Sequence, residues 1–173
     1  MDPKKAYKFC LRCSGNLAFI ENNELRCKSC GFKYHINPIP SNAVILENKN
    51  GDILLVKRKF APKKGWWDLP GGFIQPNESL EESVEREIKE ELGIEVGMIK
   101  LVGIYPDTYL YQEILEPTLT PVVSAKIISG TIKAADDVSG YKFFSKSKVL
   151  KQKIAFDAAI NGLRDYLELK SST

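Results

Sequence analysis

The chain has 173 residues, a hydrophobic fraction of 43% and a charged fraction of 27%, which are the proportions of an ordinary globular protein. Its net charge of +3 is too small to indicate nucleic-acid binding by itself. The longest apolar runs, such as Ala43–Leu46 and Ile53–Val56, have the length of strands and cannot span a bilayer. No apolar signal stretch precedes Cys10, so we expect a soluble cytoplasmic protein with no membrane partner.

The positive charge is concentrated in residues 1–36, where seven basic side chains stand against three acidic ones. This segment therefore carries +4 and the remainder of the chain −1. Solvated lysines around a small core explain the surplus more simply than a nucleic-acid footprint does.

Two CxxC pairs, Cys10–Cys13 and Cys27–Cys30, flank a segment of thirteen residues, and each pair is followed closely by a glycine, Gly15 or Gly31. Two residues between cysteines let both thiolates reach one tetrahedral ion, and the intervening Asn16–Arg26 is predicted to form a hairpin. Redox chemistry is the alternative for a single CxxC, but two pairs in a reducing compartment favour zinc. The predicted Zn²⁺ ligands are Cys10, Cys13, Cys27 and Cys30. Four thiolates leave no open position for water, which indicates a structural ion.

Residues 37–42 contain two prolines and form a stiff connector, because each proline fixes its own φ and favours an extended predecessor. We therefore divide the chain into a zinc ribbon at 1–36, a linker at 37–42 and a main domain at 43–173. The predicted strands of the main domain are Ala43–Leu46, Ile53–Lys57, Ile99–Tyr105, Val122–Ile128 and Lys142–Phe144. A last helix is expected over about residues 154–169. This order predicts a layered α+β domain.

A long helix is expected between these strands. Ser79 and Glu82 have the spacing of a capping box at its start, and Gly93 is a natural C-terminal stop. Its apolar stripe repeats every four residues, at Leu80, Val84, Ile88 and Leu92.

Two glutamates, Glu87 and Glu91, fall along the edge of this apolar stripe, one helical turn apart. A solvated acidic face is the usual interpretation of such a run, and it suits Glu82 and Glu85. It does not suit Glu87 and Glu91, because crowded like charges destabilise a helix and burial increases that cost. A divalent cation between the oxygens would resolve the conflict, and Mg²⁺ is the common choice for carboxylates.

A longer pattern begins at Gly72: five residues separate it from Glu78, and seven more precede the run Arg86-Glu-Ile-Lys-Glu-Glu-Leu-Gly-Ile94. This pattern resembles the signature box of the Nudix hydrolases without a departure. The resemblance implies a mixed β-sheet sandwiched between helices, with the box as a loop–helix–loop. It also implies attack of water on a nucleoside diphosphate linked to another moiety.

By position, the resemblance implies roles for the residues of the box. It assigns Mg²⁺ or Mn²⁺ to Glu87, Glu90 and Glu91, and it makes Arg86 the residue that orients these glutamates. Glu78 would tie the loop to the helix, Gly72 would let the backbone turn sharply, and Gly93 would close the box.

The general base is left open by the sequence. Members of the family draw it from the box or from a later loop, where Asp136 and Asp137 are the candidates, with Glu113 and Glu116 behind them. In the family, a glutamate is common just before the strand that here contains Phe143 and Phe144, and this chain has Gly140-Tyr141 instead.

A four-cysteine ribbon before the box resembles the NADH pyrophosphatases and the zinc-ribbon ADP-ribose pyrophosphatase-like proteins. The NADH group carries a Ser-Gln-Pro-Trp-Pro-Phe-Pro stretch, which Tyr105–Tyr111 replaces here. This difference favours ADP-ribose or a related ADP-sugar. Tyr109 could stack on a ring, Arg58 could meet a phosphate, and Trp66 and Trp67 either hold a base or pack in the core.

Other functions stay open within this framework. The box recognises the diphosphate and not the attached group, so NAD(H), a nucleoside triphosphate or an RNA cap are alternative substrates. A non-catalytic, nucleotide-sensing zinc-ribbon regulator is a further alternative, although it would not require the complete carboxylate set. We expect a nucleotide-type small molecule as the partner, with nucleic acid less favoured and a homodimer left open.

Overall fold

A computed structural model of the chain describes residues 1–171, which divide into two compact units. The first unit comprises Met1–Ile39 together with Thr108–Thr118, and the second comprises Pro40–Asp107 and the chain from Leu119 onward. The first unit thus contains the ribbon region and a hairpin tip that the sequence division assigns to the main domain. The bounds 1–36, 37–42 and 43–173 stay a prediction.

The helices are α1 (Pro3–Ala6), α2 (Leu80–Leu92), α3 (Lys146–Val149) and α4 (Asp157–Ser171). Runs of strands separate the helices α1, α2 and α3, and α4 follows α3 directly. The strands are β1 (Leu17–Phe19), β2 (Glu24–Cys27), β3 (Lys33–His35), β4 (Ile39–Pro40), β5 (Ala43–Leu46), β6 (Ile53–Arg58), β7 (Trp67–Asp68), β8 (Glu95–Tyr111), β9 (Ile114–Ser129) and β10 (Val138–Phe144). Within residues 1–171, no helix combines the length and apolarity that a membrane span requires.

The first unit contains an antiparallel sheet in the order β1-β2-β3. Its first two strands form the predicted hairpin, with Leu17 opposite Cys27. The third strand was not predicted, because three residues of alternating exposure give too short a pattern to recognise.

The second unit contains a sheet in the order β10-β6-β7 and another in which β9 lies between β4 and β5 and also pairs with β8. β5 runs parallel to β9, with Ala43 opposite Val122, whereas β6 is antiparallel to β10. The predicted mixed sheet is therefore confirmed. β8 extends beyond the predicted end at Tyr105, through Pro106, which an edge strand tolerates because no ladder hydrogen bond is needed there.

Alternate side chains of β5 and β6 enter two separate apolar clusters, which places α2 and α4 on opposite faces of the sheet. The cluster on the α4 face includes Ala43, Ile45, Ile53, Leu55 and Leu163. The cluster on the α2 face includes Val44, Leu46, Leu54, Val84, Ile88 and Leu92. The predicted α+β sandwich is confirmed.

The two long helices differ in how closely they match the sequence. α2 begins with the predicted capping box, in which Ser79 Oγ accepts from the Glu82 amide at 3.2 Å and Glu82 Oε2 accepts from the Ser79 amide at 2.8 Å. It ends at Gly93, whose φ is 69°. α4 begins at Asp157, later than expected, because the Ala155 amide donates to the Trp67 carbonyl and keeps the preceding chain extended.

Candidate active site and zinc centre

The three glutamates predicted as magnesium ligands lie at different depths on α2. Glu91 is buried, with 4% of its surface exposed. The side chain of Glu87 is 13% exposed, and that of Glu90 is 49% exposed. The helix-wheel expectation that Glu87 and Glu91 lie against the core therefore matches the structure, and Glu90 points towards solvent.

Two glycines bring the loop before α2 against these buried carboxylates. The Gly71 amide donates to Glu91 Oε2 at 3.1 Å. A Cβ on Gly72 would lie 2.5 Å from Glu87 Oε1 and 2.7 Å from Glu87 Oε2. The positive φ of the turn, 136°, belongs to Gly71, so Gly72 is needed for the close approach of a carboxylate more than for a sharp turn.

Arg86 holds the acidic side chains of the box together. Its Nε donates to Glu78 Oε1 at 2.7 Å, and its Nη1 donates to Glu87 Oε1 at 2.8 Å and to Glu90 Oε2 at 3.0 Å. Its Nη2 donates to the Phe73 carbonyl at 3.1 Å, which fixes the guanidinium to the loop. The hydrogen bonds from Arg86 lower the pKa of Glu78 to about 2. Glu78 thus ties the loop to the helix through Arg86.

The site holds more negative charge than Arg86 offsets. Burial raises the pKa of Glu91 well above its usual value, and the charge of Asp137 raises it further. Burial also raises the pKa of Glu87, against the influence of Arg86. Hard carboxylate oxygens crowded in this way fit a divalent cation such as Mg²⁺. Asp137, from the loop before β10, belongs to the same acidic group.

The other loop candidate for the general base, Asp136, is held through its backbone. Lys59 Nζ donates to the Asp136 carbonyl, and the Lys59 amide donates to the Asp137 carbonyl, both at 2.8 Å. These bonds fix the loop, and the Asp137 charge acts on both Glu87 and Glu91.

Arg58 makes an ion pair that the sequence did not predict. Its Nη1 donates to Asp68 Oδ2 at 3.2 Å, its Nε donates to the Pro62 carbonyl at 2.9 Å, and its guanidinium lies 4.9 Å from the ring centre of Phe156. Burial raises the pKa of Asp68 to about 7 despite this partner. The predicted contact of Arg58 with a phosphate stays a prediction.

The two tryptophans have different environments. Trp67 packs on the α4-face cluster and meets Phe144 edge-on, with ring centres 5.1 Å apart. Trp66 is half-buried, and the ammonium groups of Lys153 and Lys63 lie 4.0 Å and 5.4 Å from its ring. Trp67 thus packs against the core, and stacking of either tryptophan on a base stays a prediction.

The Tyr105–Tyr111 segment is divided between the two units. In the second unit, Tyr105 donates to Asp165 at 2.6 Å and Asp107 accepts from the Ala158 amide at 2.8 Å. Tyr109 lies in the hairpin tip that belongs to the first unit, and its contact with a substrate stays a prediction.

The two further candidates for the base, Glu113 and Glu116, also lie in the first unit. The Glu113 carbonyl accepts from the N-terminal amine of Met1. Glu116 is buried and its carboxylate accepts from the Tyr7 hydroxyl at 2.6 Å. This hydrogen bond gives Glu116 a structural role within that unit.

The four cysteines converge as predicted, with all four sulfur atoms within 4.8 Å of one another. The Sγ atoms of Cys10 and Cys30 are 3.8 Å apart, and those of Cys13 and Cys27 are 3.5 Å apart. Ligands of a tetrahedral zinc ion with Zn–S bonds of about 2.3 Å lie about 3.8 Å from each other. The arrangement fits zinc and is too wide for disulfides, which need about 2.05 Å.

Among residues 1–171, the cysteines are the one set of three or more potential ligands with such tight convergence. The carboxylates of Glu87, Glu90 and Glu91 do not converge as tightly as the cysteine sulfur atoms.

Comparison with known proteins gives the family of the chain. Residues 38–161 match the family model described as the NUDIX domain. The chain belongs to the Nudix family. As a Nudix hydrolase, it is 38% identical over 143 residues to an ADP-ribose pyrophosphatase of Methanocaldococcus jannaschii, a match that covers 80% of each chain.

A second Nudix relative is the NAD-capped RNA hydrolase NudC of Haemophilus influenzae, which is 32% identical over 107 residues. This match covers 59% of the present chain and 39% of NudC, so the chain spans well under two thirds of that protein.

Solved Nudix structures resemble the chain as well. A NUDIX hydrolase from Nitrosomonas europaea superimposes with a TM-score of 0.72, at 25% identity, over 95% of this chain and 93% of that one. The NUDIX domain of Shewanella oneidensis NrtR, solved with ADP ribose, superimposes with a TM-score of 0.61, at 25% identity, over 76% of this chain and 89% of that domain.

Proposed function

We propose that this Nudix pyrophosphohydrolase cleaves ADP-ribose or a closely related ADP-sugar to AMP and a sugar phosphate. The observation that carries the reaction is the contact of the buried Glu91 and the half-buried Glu87 with the Gly71–Gly72 loop. The substrate is supported by the M. jannaschii relative named ADP-ribose pyrophosphatase, which the chain matches over 80% of its length.

Glu87, Glu91 and the more exposed Glu90 would hold Mg²⁺ or Mn²⁺. Bound there, the ion neutralises the diphosphate and lowers the pKa of an attacking water. The protein contributes positioning. Arg86 restrains Glu87 and Glu90, and Gly71 restrains Glu91. Phosphoryl chemistry of this kind needs little beyond such placement and charge stabilisation.

We assign the loop carboxylate of the site to Asp137 and leave Asp136 to fix the loop. Asp137 is the residue whose charge acts on both Glu87 and Glu91. A carboxylate in this place is suited to orient the attacking water or to accept its proton.

The cysteine cluster is proposed to hold one structural Zn²⁺ that takes no direct part in hydrolysis. The four thiolates would fill all four coordination positions of the ion and leave no site for water or substrate.

The test of the substrate is the comparison of kcat/KM for ADP-ribose, NADH and dGTP with Mg²⁺ at one pH. ADP-ribose should lead by at least about tenfold, which corresponds to about 1.4 kcal/mol of transition-state binding. A preference for the triphosphate would overturn the substrate while leaving the Nudix chemistry in place.

A second candidate substrate is an NAD-capped RNA or free NAD(H), which the similarity to NudC favours. A short 5′-NAD-capped oligonucleotide and NAD(H) belong in the same panel. Faster turnover of either one than of ADP-ribose would move the assignment to that substrate.

A further inference from the structure

Asn42 precedes β5 and lies outside the Nudix box. Among residues 1–171, only the nitrogen of its buried side-chain amide has a hydrogen-bond partner. The residue is 4% exposed. Its Nδ2 donates to Ser83 Oγ at 2.9 Å, whereas its Oδ1 is buried without a hydrogen-bond partner in residues 1–171. Leaving such an acceptor unsatisfied costs about 1–3 kcal/mol. An asparagine kept at this cost calls for an explanation outside simple core packing.

Asn42 lies directly against the loop that contacts the buried carboxylates. Its amide donates to the Gly72 carbonyl at 2.8 Å. A Cβ on Gly71 would lie 2.5 Å from the Asn42 carbonyl oxygen and 2.7 Å from its Oδ1, so the two residues are in close contact. The loop bonds Glu91 through the Gly71 amide and fits against Glu87 at Gly72. Any shift of Asn42 therefore reaches both carboxylates.

The other end of the Asn42 side chain joins α2 at Ser83, which is fully buried. The Ser83 hydroxyl is also hydrogen-bonded to Glu78, which helps to lower the pKa of Glu78. Ser83 Oγ lies 3.5 Å from Arg86 Nη2. A hydroxyl has one proton to donate and two lone pairs. Donation to Glu78 and acceptance from Asn42 and Arg86 use this capacity and link Asn42 to the ion-pair network of the box.

We propose that Asn42 is a positioning residue that fixes the Gly71–Gly72 loop relative to α2, so that Glu87 and Glu91 are held in the arrangement that binds the divalent cation. This inference rests on the proposed function of the two glutamates. Partners that orient metal ligands without touching the ion contribute about 10- to 100-fold to metal affinity. Asn42 is expected to act within that range.

The experiment measures Mn²⁺ binding to the zinc-loaded, full-length protein without substrate, by calorimetric titration. Asn42→Ala should weaken Mn²⁺ binding by about 10- to 100-fold. At saturating Mn²⁺ its KM for ADP-ribose should stay within about twofold of the wild-type value, because Asn42 is assigned no contact with the substrate. Ser83→Ala should weaken Mn²⁺ binding in the same way. The double variant should bind Mn²⁺ about as tightly as the single variant with the lower affinity, as expected for two residues that share one interaction.

Ser41→Ala is the matched control. Ser41 adjoins Asn42 in the chain, and its hydroxyl is bonded to Thr120 Oγ1 at 2.7 Å, away from the box. This variant also loses one side-chain hydrogen bond, and it should lower Tm while leaving Mn²⁺ affinity unchanged. Equal losses of Tm in Asn42→Ala and Ser41→Ala with wild-type Mn²⁺ affinity in both would overturn the inference. If Asn42→Ala does not fold, Ser83→Ala carries the test.

Glu91→Gln, titrated with Mn²⁺ alongside, separates this inference from the function on which it rests. Loss of Mn²⁺ binding in Glu91→Gln together with normal binding in Asn42→Ala would refute only the role of Asn42. Normal binding in Glu91→Gln would refute the metal assignment itself.

Discussion

Replacing Glu91 by glutamine tests whether this buried carboxylate serves the cation or the fold. Glutamine has the same size, and its carbonyl can still accept from the Gly71 amide, which Glu91 does at 3.1 Å. The substitution replaces an ionisable carboxyl group that is 4% exposed and one helical turn from Glu87. Turnover should fall by at least about 100-fold, as it does when one main electrostatic contact of a transition state is lost.

The same change should leave the protein without Mg²⁺ as stable as before, or more stable. A like-charge pair one turn apart destabilises a helix by about 0.2–0.5 kcal/mol. In a protein of this size, relief of that repulsion raises Tm by about 0.4–2 °C, before any gain from removing a buried ionisable group. Thermal unfolding of the zinc-loaded protein, with no Mg²⁺ added, measures this shift.

Glu85→Gln provides the control, because Glu85 is an exposed glutamate on the same helix and loses the same charge. It should change neither turnover nor Tm appreciably. Near-normal turnover of Glu91→Gln would refute the metal assignment. A fall in its Tm of several degrees would show that Glu91 stabilises the fold.

Three further predictions concern the zinc centre, the close approach at Gly72 and the buried Asp68. Protein purified without added metal should contain one Zn²⁺ per chain by elemental analysis, and Cys13→Ser should lose it; disulfides under reducing conditions would contradict the site. Gly72→Ala should lower kcat by about 10- to 100-fold, because the new Cβ would lie 2.5 Å from Glu87 Oε1. In the control Gly140→Ala, the new Cβ has no atom within 4 Å, and kcat should stay unchanged. Burial raises the pKa of Asp68 to about 7. Between about pH 4 and 7, the Asp68 carboxyl is therefore protonated in the folded state and ionised in the unfolded state. Wild-type protein should therefore lose stability relative to Asp68→Asn as pH rises from 5 to 7 in urea titrations; parallel pH profiles would refute the burial argument.

The sequence predicted best what depends on local interactions. The start of α2 follows from hydrogen bonds between Ser79 and Glu82, three residues apart, and its end from the left-handed Gly93. The burial of Glu87 and Glu91 follows from the helical period alone. The convergence of the cysteines follows from CxxC spacing on either side of a hairpin.

Features that depend on distant contacts were not predictable in this way. Asp68 is buried, and the pairing of β6 with β7 brings it to Arg58, ten residues earlier in the chain. Asn42 meets Ser83 across 41 residues, and no period or motif marks either position. The base loop shows the same limit: Asp136 and Asp137 are adjacent and equivalent in the sequence, and only the fold directs the Asp137 charge towards Glu91.

The dual role of α2 explains how the protein tolerates so acidic a site. Val84, Ile88 and Leu92 are completely buried on the same face that carries Glu91. Each such side chain stabilises the fold by about 1.5–3 kcal/mol, which together exceeds the repulsion between neighbouring carboxylates by a wide margin. The apolar stripe can therefore hold Glu87 and Glu91 at the edge of the core without a bound cation. The proposed cation would relieve their unfavourable burial on binding, and metal affinity would then depend on the rigidity of this one helix and its loop.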